Sequence, residues 1–321
     1  MPLISVVIPV HNGEGTLRET LDSVLCQSHA DLEVLVIDDD STDGTAEIVA
    51  SIPDPRLRLH RIAAHSCAAS RNEGIFRARG EYLSFVDADD LWTHDKLEAQ
   101  LAALLASPPA QVAYSFTTHI GEDGTKRFEG YRGGESRDVL RALFRRYFLE
   151  SGSNALIHRD VATVVGGFDP EHEICADWDF FLRAAERFEF ACVPRSQILY
   201  RHRDTALSAS GAPLRHDAHE VIRRAVHRSP QLRDLAAEAR AIVDNHVLGK
   251  TLQGRRDARS VALVLACLGS HLRAGRTGWR LLEARPAVAG YWLTEVLGWL
   301  VLPHTLHLRR RRARLRRLAV G

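Results

Sequence analysis

Apolar runs and amphipathic stretches alternate along this chain from Ile4 to Thr117. Ile4-Ser5-Val6-Val7-Ile8 reads as a strand buried on both faces. Leu17, Leu21, Val24 and Leu25, within Thr16–Gln27, recur at helical spacing. Leu32–Ile37 is a second strand, and Ser41-Thr42-Asp43 opens a second helix with Ser41 or Asp43 as its cap. A short strand at Leu57–Arg61, a helix at Ala68–Arg77, a strand at Tyr82–Val86, a helix at His94–Ala106 and a strand at Val112–Thr117 follow. Strands and helices alternating at this spacing predict an α/β fold, with a mostly parallel sheet covered by helices on both faces.

The pattern loosens after Gly121. Gly130–Gly134 reads as a mobile loop and Arg137–Phe148 as a helix. Asn154–His158 is a short strand, Gly166–Asp169 a turn, and Trp178–Phe188 a helix; Phe190–Val193 and Gln197–Tyr200 are two short strands. From about residue 213 only helical patterns remain. A domain of residues 1–210 followed by a helical region of residues 211–321 is expected.

Charge sharpens that division. The net charge of +1 is the sum of a basic 211–321 segment (21 Lys+Arg, 8 Asp+Glu, +13) and an acidic 1–210 segment (21 Lys+Arg, 33 Asp+Glu, −12). Units with such different charge suit different partners. In the basic segment, the mostly apolar Ala287–Leu302, carrying Trp292 and Trp299, precedes the arginine-rich Arg309–Arg317. That stretch is short for a spanning helix. Two readings hold: a peripheral helix on an anionic membrane face, or a helix packed on the core with a solvated tail. Nucleic-acid binding is not expected, because no nucleic-acid fold accompanies the arginines. The amino end lacks the pattern of a secretory leader, and the five scattered cysteines form no CxxC pair. A cytoplasmic protein with reduced thiols is therefore expected, with peripheral contact at the inner membrane face as the alternative setting.

The chemistry lies in acidic clusters. Asp38-Asp39-Asp40 follows one strand and Asp87-Ala88-Asp89-Asp90 another, with Asp169 and Asp177-Trp178-Asp179 later. Carboxylates at the carboxyl ends of parallel strands face the crevice where open α/β sheets bind ligands. Carboxylates crowded together call for a cation or for shifted pKa values. Asp87-Ala88-Asp89 can share a hard cation with substrate phosphates, as Mg²⁺ prefers; the same acidic turn could instead only cap a helix. Asp39 can accept a hydrogen bond from an imide N–H such as that of uracil, while Ser41, Thr42 and Asp43 can simply cap.

In order, the chain carries Ile4–Asn12, Asp38–Thr45, Ser70-Arg71-Asn72-Glu73-Gly74, Asp87-Ala88-Asp89, Gly166-Gly167-Phe168-Asp169 and Ala176-Asp177-Trp178-Asp179. This ordered set resembles glycosyltransferase family 2, the inverting enzymes of GT-A fold, over about residues 3–205. Two positions depart from the pattern: Asp40 replaces a usual Gly, and Ala176 replaces a Glu that often precedes the catalytic Asp.

The resemblance implies that Pro9, Asn12 and Glu14 line a nucleotide pocket, that Asp39 holds the base and that Arg71 approaches the base or diphosphate. Asp87 then sits at the ribose or metal, Asp89 is the principal ligand of Mn²⁺ or Mg²⁺, and Asp177 is the general base. Tyr200-Arg201-His202-Arg203 resembles the segment that closes over the donor phosphates. There His202 either completes the metal shell or is merely solvated. Trp178 stacks on an acceptor or packs in the core, and Asp169 and Asp179 fall to structural roles. The implied reaction moves a sugar from a nucleoside-diphosphate donor, UDP by expectation, to a saccharide or lipid-linked acceptor in bacterial cell-surface glycan synthesis. A nucleotidyltransferase would open with a basic glycine-rich loop, whereas His11-Asn12-Gly13-Glu14-Gly15 is acidic. A catalytically silent membrane-docked scaffold would not need Asp39, Asp89 and Asp177 intact.

Overall fold

The computed structural model describes residues 1–132, 138–203 and 211–253, with side chains described as far as residue 247. The expected elements are present: β1 (Ile4–Val10), α1 (Leu17–Leu25), β2 (Leu32–Asp39), α2 (Thr45–Ala50), β3 (Leu57–Ile62), α3 (Cys67–Arg77) and β4 (Tyr82–Phe85). They are followed by β5 (Leu91–Trp92), α4 (Lys96–Ala106), β6 (Ala110–Ile120), β7 (Lys126–Glu129), α5 (Val139–Arg145), β8 (Leu156–His158) and α6 (Arg159–Val165). Then come α7 (Ala176–Ala185), β9 (Glu189–Arg201), α8 (Gly211–Arg228), a 3-10 helix (Pro230–Leu235) and α9 (Ala236–Gln253).

The sheet runs β3-β2-β1-β4-β8-β6-β9-β5, with β7 paired to β6. It is parallel across β3-β2-β1-β4 and again between β6 and β9. β8 and β5 enter antiparallel to their neighbours. Every residue of β1 and β2 is buried, because helices cover both faces; this is why those strands read as continuous apolar runs. Between them, α1 turns Leu17, Leu21 and Val24 inward. α3 packs closely on β1: a Cβ on Gly74 would lie 2.2 Å from a Val7 methyl, so only glycine fits there.

Three differences from the sequence pattern have clear causes. The two short strands expected at 190–193 and 197–200 are one strand, β9, whose pairing with β6 shifts register near Ser115–Thr117 and so accommodates Pro194. β5 has two residues and β7 four, too short to show periodicity. The helix expected from His94 starts at Lys96, because Leu91 and Trp92 pair with β9.

The chain divides into two compact units, Met1–Ala239 and Arg240–Gly321. α8 lies in the first, although the change of composition near residue 210 precedes it. The apolar stretch at 287–302 and the arginine run at 309–317 lie outside the described residues, as does part of the expected glycine-rich loop. No helix among the described residues is long and apolar enough to cross a membrane.

Candidate active site

β1, β2 and β4 deliver the crevice. At their carboxyl ends stand His11-Asn12, Asp39 and Asp87–Asp90. β1 lies between β2 and β4, so the chain turns to opposite sides of it; that switch is where open α/β sheets bind ligands.

The first wall is a knot of two loops. Asn12 sits at φ +53; its N–H donates to Ser41 Oγ (2.9 Å) and its Oδ1 accepts from Thr42 N–H (2.9 Å). The Glu14 N–H donates to Asp43 Oδ2 (2.9 Å), while its own carboxylate accepts from Gly44 N–H (3.2 Å). Asp43 also accepts from Thr45 N–H at the start of α2, but the N-cap of that helix is Gly44 rather than the expected Ser41 or Asp43. Pro9 is buried inside β1, opposite Ile37. Asp40 adopts φ +59, the left-handed conformation that explains the usual glycine there.

Asp39 is engaged on both oxygens. Oδ1 accepts from the N–H groups of Ala64 (2.7 Å) and His65 (2.9 Å), and Oδ2 from Ser66 N–H (2.8 Å) and the Ser70 hydroxyl (3.3 Å). Burial pushes the carboxyl up, yet these donors outweigh it and hold it below the usual range. Four donors match the capacity of a carboxylate, so Asp39 here shapes the loop that leads into α3.

α3 brings two motifs together. Asn72 donates to the Phe168 carbonyl and accepts from the Phe168 N–H, both at 2.8 Å. It approaches so closely that a Cβ on Gly167 would lie 2.5 Å from Asn72 Oδ1, and Gly166 and Gly167 both have positive φ. One turn is thereby fastened to the other, 96 residues apart. The neighbouring Arg71 is buried, lies over the Phe168 ring (5.3 Å) and donates to Asp87 Oδ1 (2.5 Å). Its charge is felt by Asp177 as well as by Asp87.

The Asp87–Asp90 loop is pinned from both sides. Asp87 N–H donates to Ser153 Oγ (2.9 Å). Asp90 is fully buried and accepts from Ser153 Oγ (2.6 Å), Ser151 Oγ (3.3 Å) and Arg201 N–H (2.9 Å). Burial, then the charges of Asp89 and Asp87, push its carboxyl well above the usual range, so it serves as an anchor for the loop. Between them, Asp89 is raised to about 6 by burial and by the charge of Asp87, and Arg203, 3.8 Å away, offsets this only in part. A carboxylate raised by burial and by the charge of its neighbour suits a hard divalent cation. Oxygen donors of this kind match Mg²⁺ or Mn²⁺.

His202 is placed differently from the reading that adds it to a metal shell. Its Nε2 meets His119 Nδ1 at 2.8 Å, and His119 in turn meets Glu150 (3.3 Å) and stacks on Phe128. Among the described residues, Asp87, Asp89 and His202 do not bring their ligand atoms within 4.8 Å of one another; Asp169, His172 and Asp179 do. The carboxylates of that second cluster are already held by arginines: Asp169 by Arg224, and Asp179 by Arg183 and Arg228. The structural roles expected of Asp169 and Asp179 fit these pairings.

Asp177 stands in the first turn of α7, half-buried. Burial raises its carboxyl; the charge of Arg71 and a hydrogen bond from the Tyr147 hydroxyl to Oδ2 (2.9 Å) act against this without cancelling it. Tyr147 was not legible in the sequence, since a lone tyrosine after a short helix carries no motif. Trp178 is buried, and its indole N–H donates to the Leu143 carbonyl (2.9 Å), so it ties α7 to α5 and belongs to the core. Cys67 lies in the field of Arg71, Asp87 and Asp177, and burial pushes its thiol to about 11, which keeps it protonated and unreactive.

A mostly parallel α/β sheet covered by helices, with carboxylates at its strand ends, is the architecture of the GT-A glycosyltransferases. Residues 5–228 match the sequence profile described as Glycosyltransferase like family 2, and the chain belongs to that family. It is 40% identical over 129 residues to TuaG of Bacillus subtilis (strain 168), a glycosyltransferase provisionally assigned to teichuronic acid biosynthesis; the match covers 39% of this chain and 50% of TuaG. It is 38% identical over 104 residues to WfgD of Escherichia coli, a UDP-Glc:alpha-D-GlcNAc-diphosphoundecaprenol beta-1,3-glucosyltransferase, covering 32% of this chain and 41% of WfgD. The chain thus spans half or less of the length of these relatives. The mannosyltransferase PcManGT from Pyrobaculum calidifontis, solved with GDP-Man and Mn²⁺, superposes with a TM-score of 0.60 at 21% identity, over 94% of this chain and 85% of that one. That likeness establishes the fold.

Proposed function

We propose that this chain transfers a sugar, with inversion, from a nucleoside-diphosphate sugar to an acceptor hydroxyl in cell-surface glycan synthesis, in the presence of Mn²⁺ or Mg²⁺. The observation that carries this reading is the ion pair of Asp87 with the buried Arg71, whose charge also acts on Asp177, with Asp89 crowded against Asp87. UDP is the expected nucleotide, by analogy with the donor in the name of WfgD, and a lipid-linked saccharide is the expected acceptor on the same ground. The acidic first loop and the family match both weigh against nucleotidyl transfer. Docking of the basic segment at a membrane face would bring a lipid-linked acceptor within reach.

In this mechanism Asp89 and Asp87 would hold the divalent cation, which supplies Lewis acidity for the charge that builds on the leaving diphosphate. Arg203 lies beside Asp89 and offers a positive charge to the same phosphates. His202 can join only by leaving His119. The base is assigned to the edge of the crevice at Asp39, where one loop donor gives way to the base imide N–H; Pro9, Asn12 and Glu14 hold that edge in shape. Arg71 pairs with Asp87 and steadies the charge of Asp177. As the acceptor oxygen attacks the anomeric carbon opposite the diphosphate, Asp177 accepts its proton, and the C–O bond to the diphosphate breaks. A single displacement inverts that carbon and needs no second nucleophile. Asp177→Asn is expected to abolish transfer while Mn²⁺ and donor still raise the thermal midpoint as in wild type. Undiminished turnover in that variant removes Asp177 from the role of base.

A further inference from the structure

α7 carries the proposed base on its second residue, and its own N-cap gives it nothing. Cys175 supplies no side-chain hydrogen bond. The first N–H groups of a helix need acceptors, and an anion is favoured at that positive end. The acceptor comes from a different helix. Asp217, buried on α8, accepts at Oδ2 from Ile174 N–H (2.8 Å) and Cys175 N–H (2.9 Å), the two residues just before α7. Its Oδ1 meets His172 Nδ1 at 2.6 Å. His172 is 1% exposed, and its Nε2 has no hydrogen-bond partner. A ring nitrogen of His172 lies within 4.8 Å of the carboxylates of Asp169 and Asp179. Arginines already occupy those carboxylates, which makes the cluster an ion-pair network.

We propose that Asp217 is a positioning residue for the transfer reaction: from α8 it caps the catalytic helix in trans, with His172 locking its carboxylate, and so fixes where Asp177 points. This inference rests on the reading of Asp177 as base. The charges agree with the geometry. Burial pushes Asp217 up, but His172 and the two backbone donors bring it below the usual range. Burial pushes His172 down, but Asp217 and then the charge of Asp179 raise it. Each group is thus shifted toward its charged form by the other. Arg228 of α8 ties the same helix to Asp179 on α7, and Arg224 ties it to Asp169 in the turn that precedes α7; neither hydrogen-bonds to Asp217.

The test compares Asp217→Asn and Asp217→Ala with Arg224→Ala, which loosens α8 while leaving the cap intact. Transfer of sugar from a UDP-sugar to a saccharide acceptor is expected to lose kcat about 10- to 100-fold in Asp217→Ala, since small misplacements of a reacting group cost that much. Asp217→Asn, which keeps one acceptor oxygen, should lose less. The donor KM should stay within about twofold, because the donor side of the crevice is untouched. Arg224→Ala should lower Tm and leave kcat near wild type. Hydrogen exchange at Ile174 and Cys175 reports the cap without any catalysis: both amides should lose protection in Asp217→Ala and keep it in Arg224→Ala. If kcat in all three variants instead simply tracks Tm, or the two amides stay protected without Asp217, the proposal is overturned. If Asp177→Asn remains active while the amides still open in Asp217→Ala, the base assignment fails and the cap survives.

Discussion

Tyr147 offers the sharpest handle on the proposed base. Its hydroxyl donates to Asp177 Oδ2 at 2.9 Å, and Trp178 N–H donates to Oδ1 at 2.8 Å. The hydroxyl itself is pushed well above the ordinary tyrosine range by burial and by the charge of Asp177, so it remains a donor across the working pH range. Tyr147→Phe removes that one hydrogen bond and keeps the ring that lies 6.3 Å from Trp178. A hydrogen bond to a charged group contributes about 1.5–3 kcal/mol, and about 1.4 kcal/mol is tenfold in a protonation equilibrium. The proton affinity of Asp177 should therefore rise about 10- to 100-fold.

The sign follows directly. A base works deprotonated, so the acid limb of kcat moves to higher pH, and on that limb the variant is slower by the same factor. On the alkaline plateau the two enzymes should agree within a few-fold. The assay is release of nucleoside diphosphate from pH 5 to 9 at saturating divalent cation. Saturation matters because Asp89, raised to about 6, would otherwise add its own limb. An acid limb that stays in place, or moves to lower pH, refutes either the base role of Asp177 or the pairing with Tyr147.

Asp89→Asn should behave oppositely with and without metal. With Mn²⁺ it should lack the stabilisation expected of wild type, and turnover should fall about 100-fold or more; in chelator at pH 7.5 it should melt above wild type, because a carboxylate crowded by Asp87 is gone. Differential scanning fluorimetry with and without EDTA reads both signs. Asp40→Gly should stabilise by about 0.5 kcal/mol. Relief of a left-handed residue, roughly 1–2 kcal/mol, is partly offset by the added freedom of glycine in the unfolded chain, about 0.5–1 kcal/mol. A lower urea midpoint in that variant would contradict the strain assigned to φ +59.

What the sequence made legible is what repeats locally. The all-buried β1 and β2, the 3.6-residue spacing of Leu17, Leu21 and Val24, and the order of the acidic clusters carry their information within a few residues. The significance of Asp40 could also be inferred, because a non-glycine at a glycine position points to backbone conformation. Long-range partners left no such mark. Nothing near Asn72 announces Phe168, nothing near Asp177 announces Tyr147, and Asp217 lies past the last of the motifs that carry the resemblance, although within the residues 5–228 that the family profile matches. Asp39 shows the limit from the other side: its motif is plain, yet its four hydrogen-bond donors become visible only once the loop at Ala64–Ser66 is in place. Strands as short as β5 and β7 owe their conformation to their neighbours, so periodicity cannot reveal them.

The pairing of β5 has a consequence for the order in which this molecule assembles. β1, β2, β3 and β4 are parallel neighbours drawn from the first 85 residues, and they can associate as soon as they leave the ribosome. The loop that holds Asp87 and Asp89 leaves β4 and is tied early to α1, through the Thr20 hydroxyl on the Asp90 carbonyl and Trp92 N–H on Ser23 Oγ, but its last ties form when Leu91 pairs with Leu199 and Arg201 N–H reaches Asp90. Contacts so distant along the chain form slowly, since loop closure precedes any gain. The parallel half of the sheet can thus precede the fully closed Asp87–Asp90 loop by the time needed to make and dock β9. A nascent or truncated chain ending before β9 would hold its acidic loop unclosed, exposed to chaperones and proteases rather than to substrate.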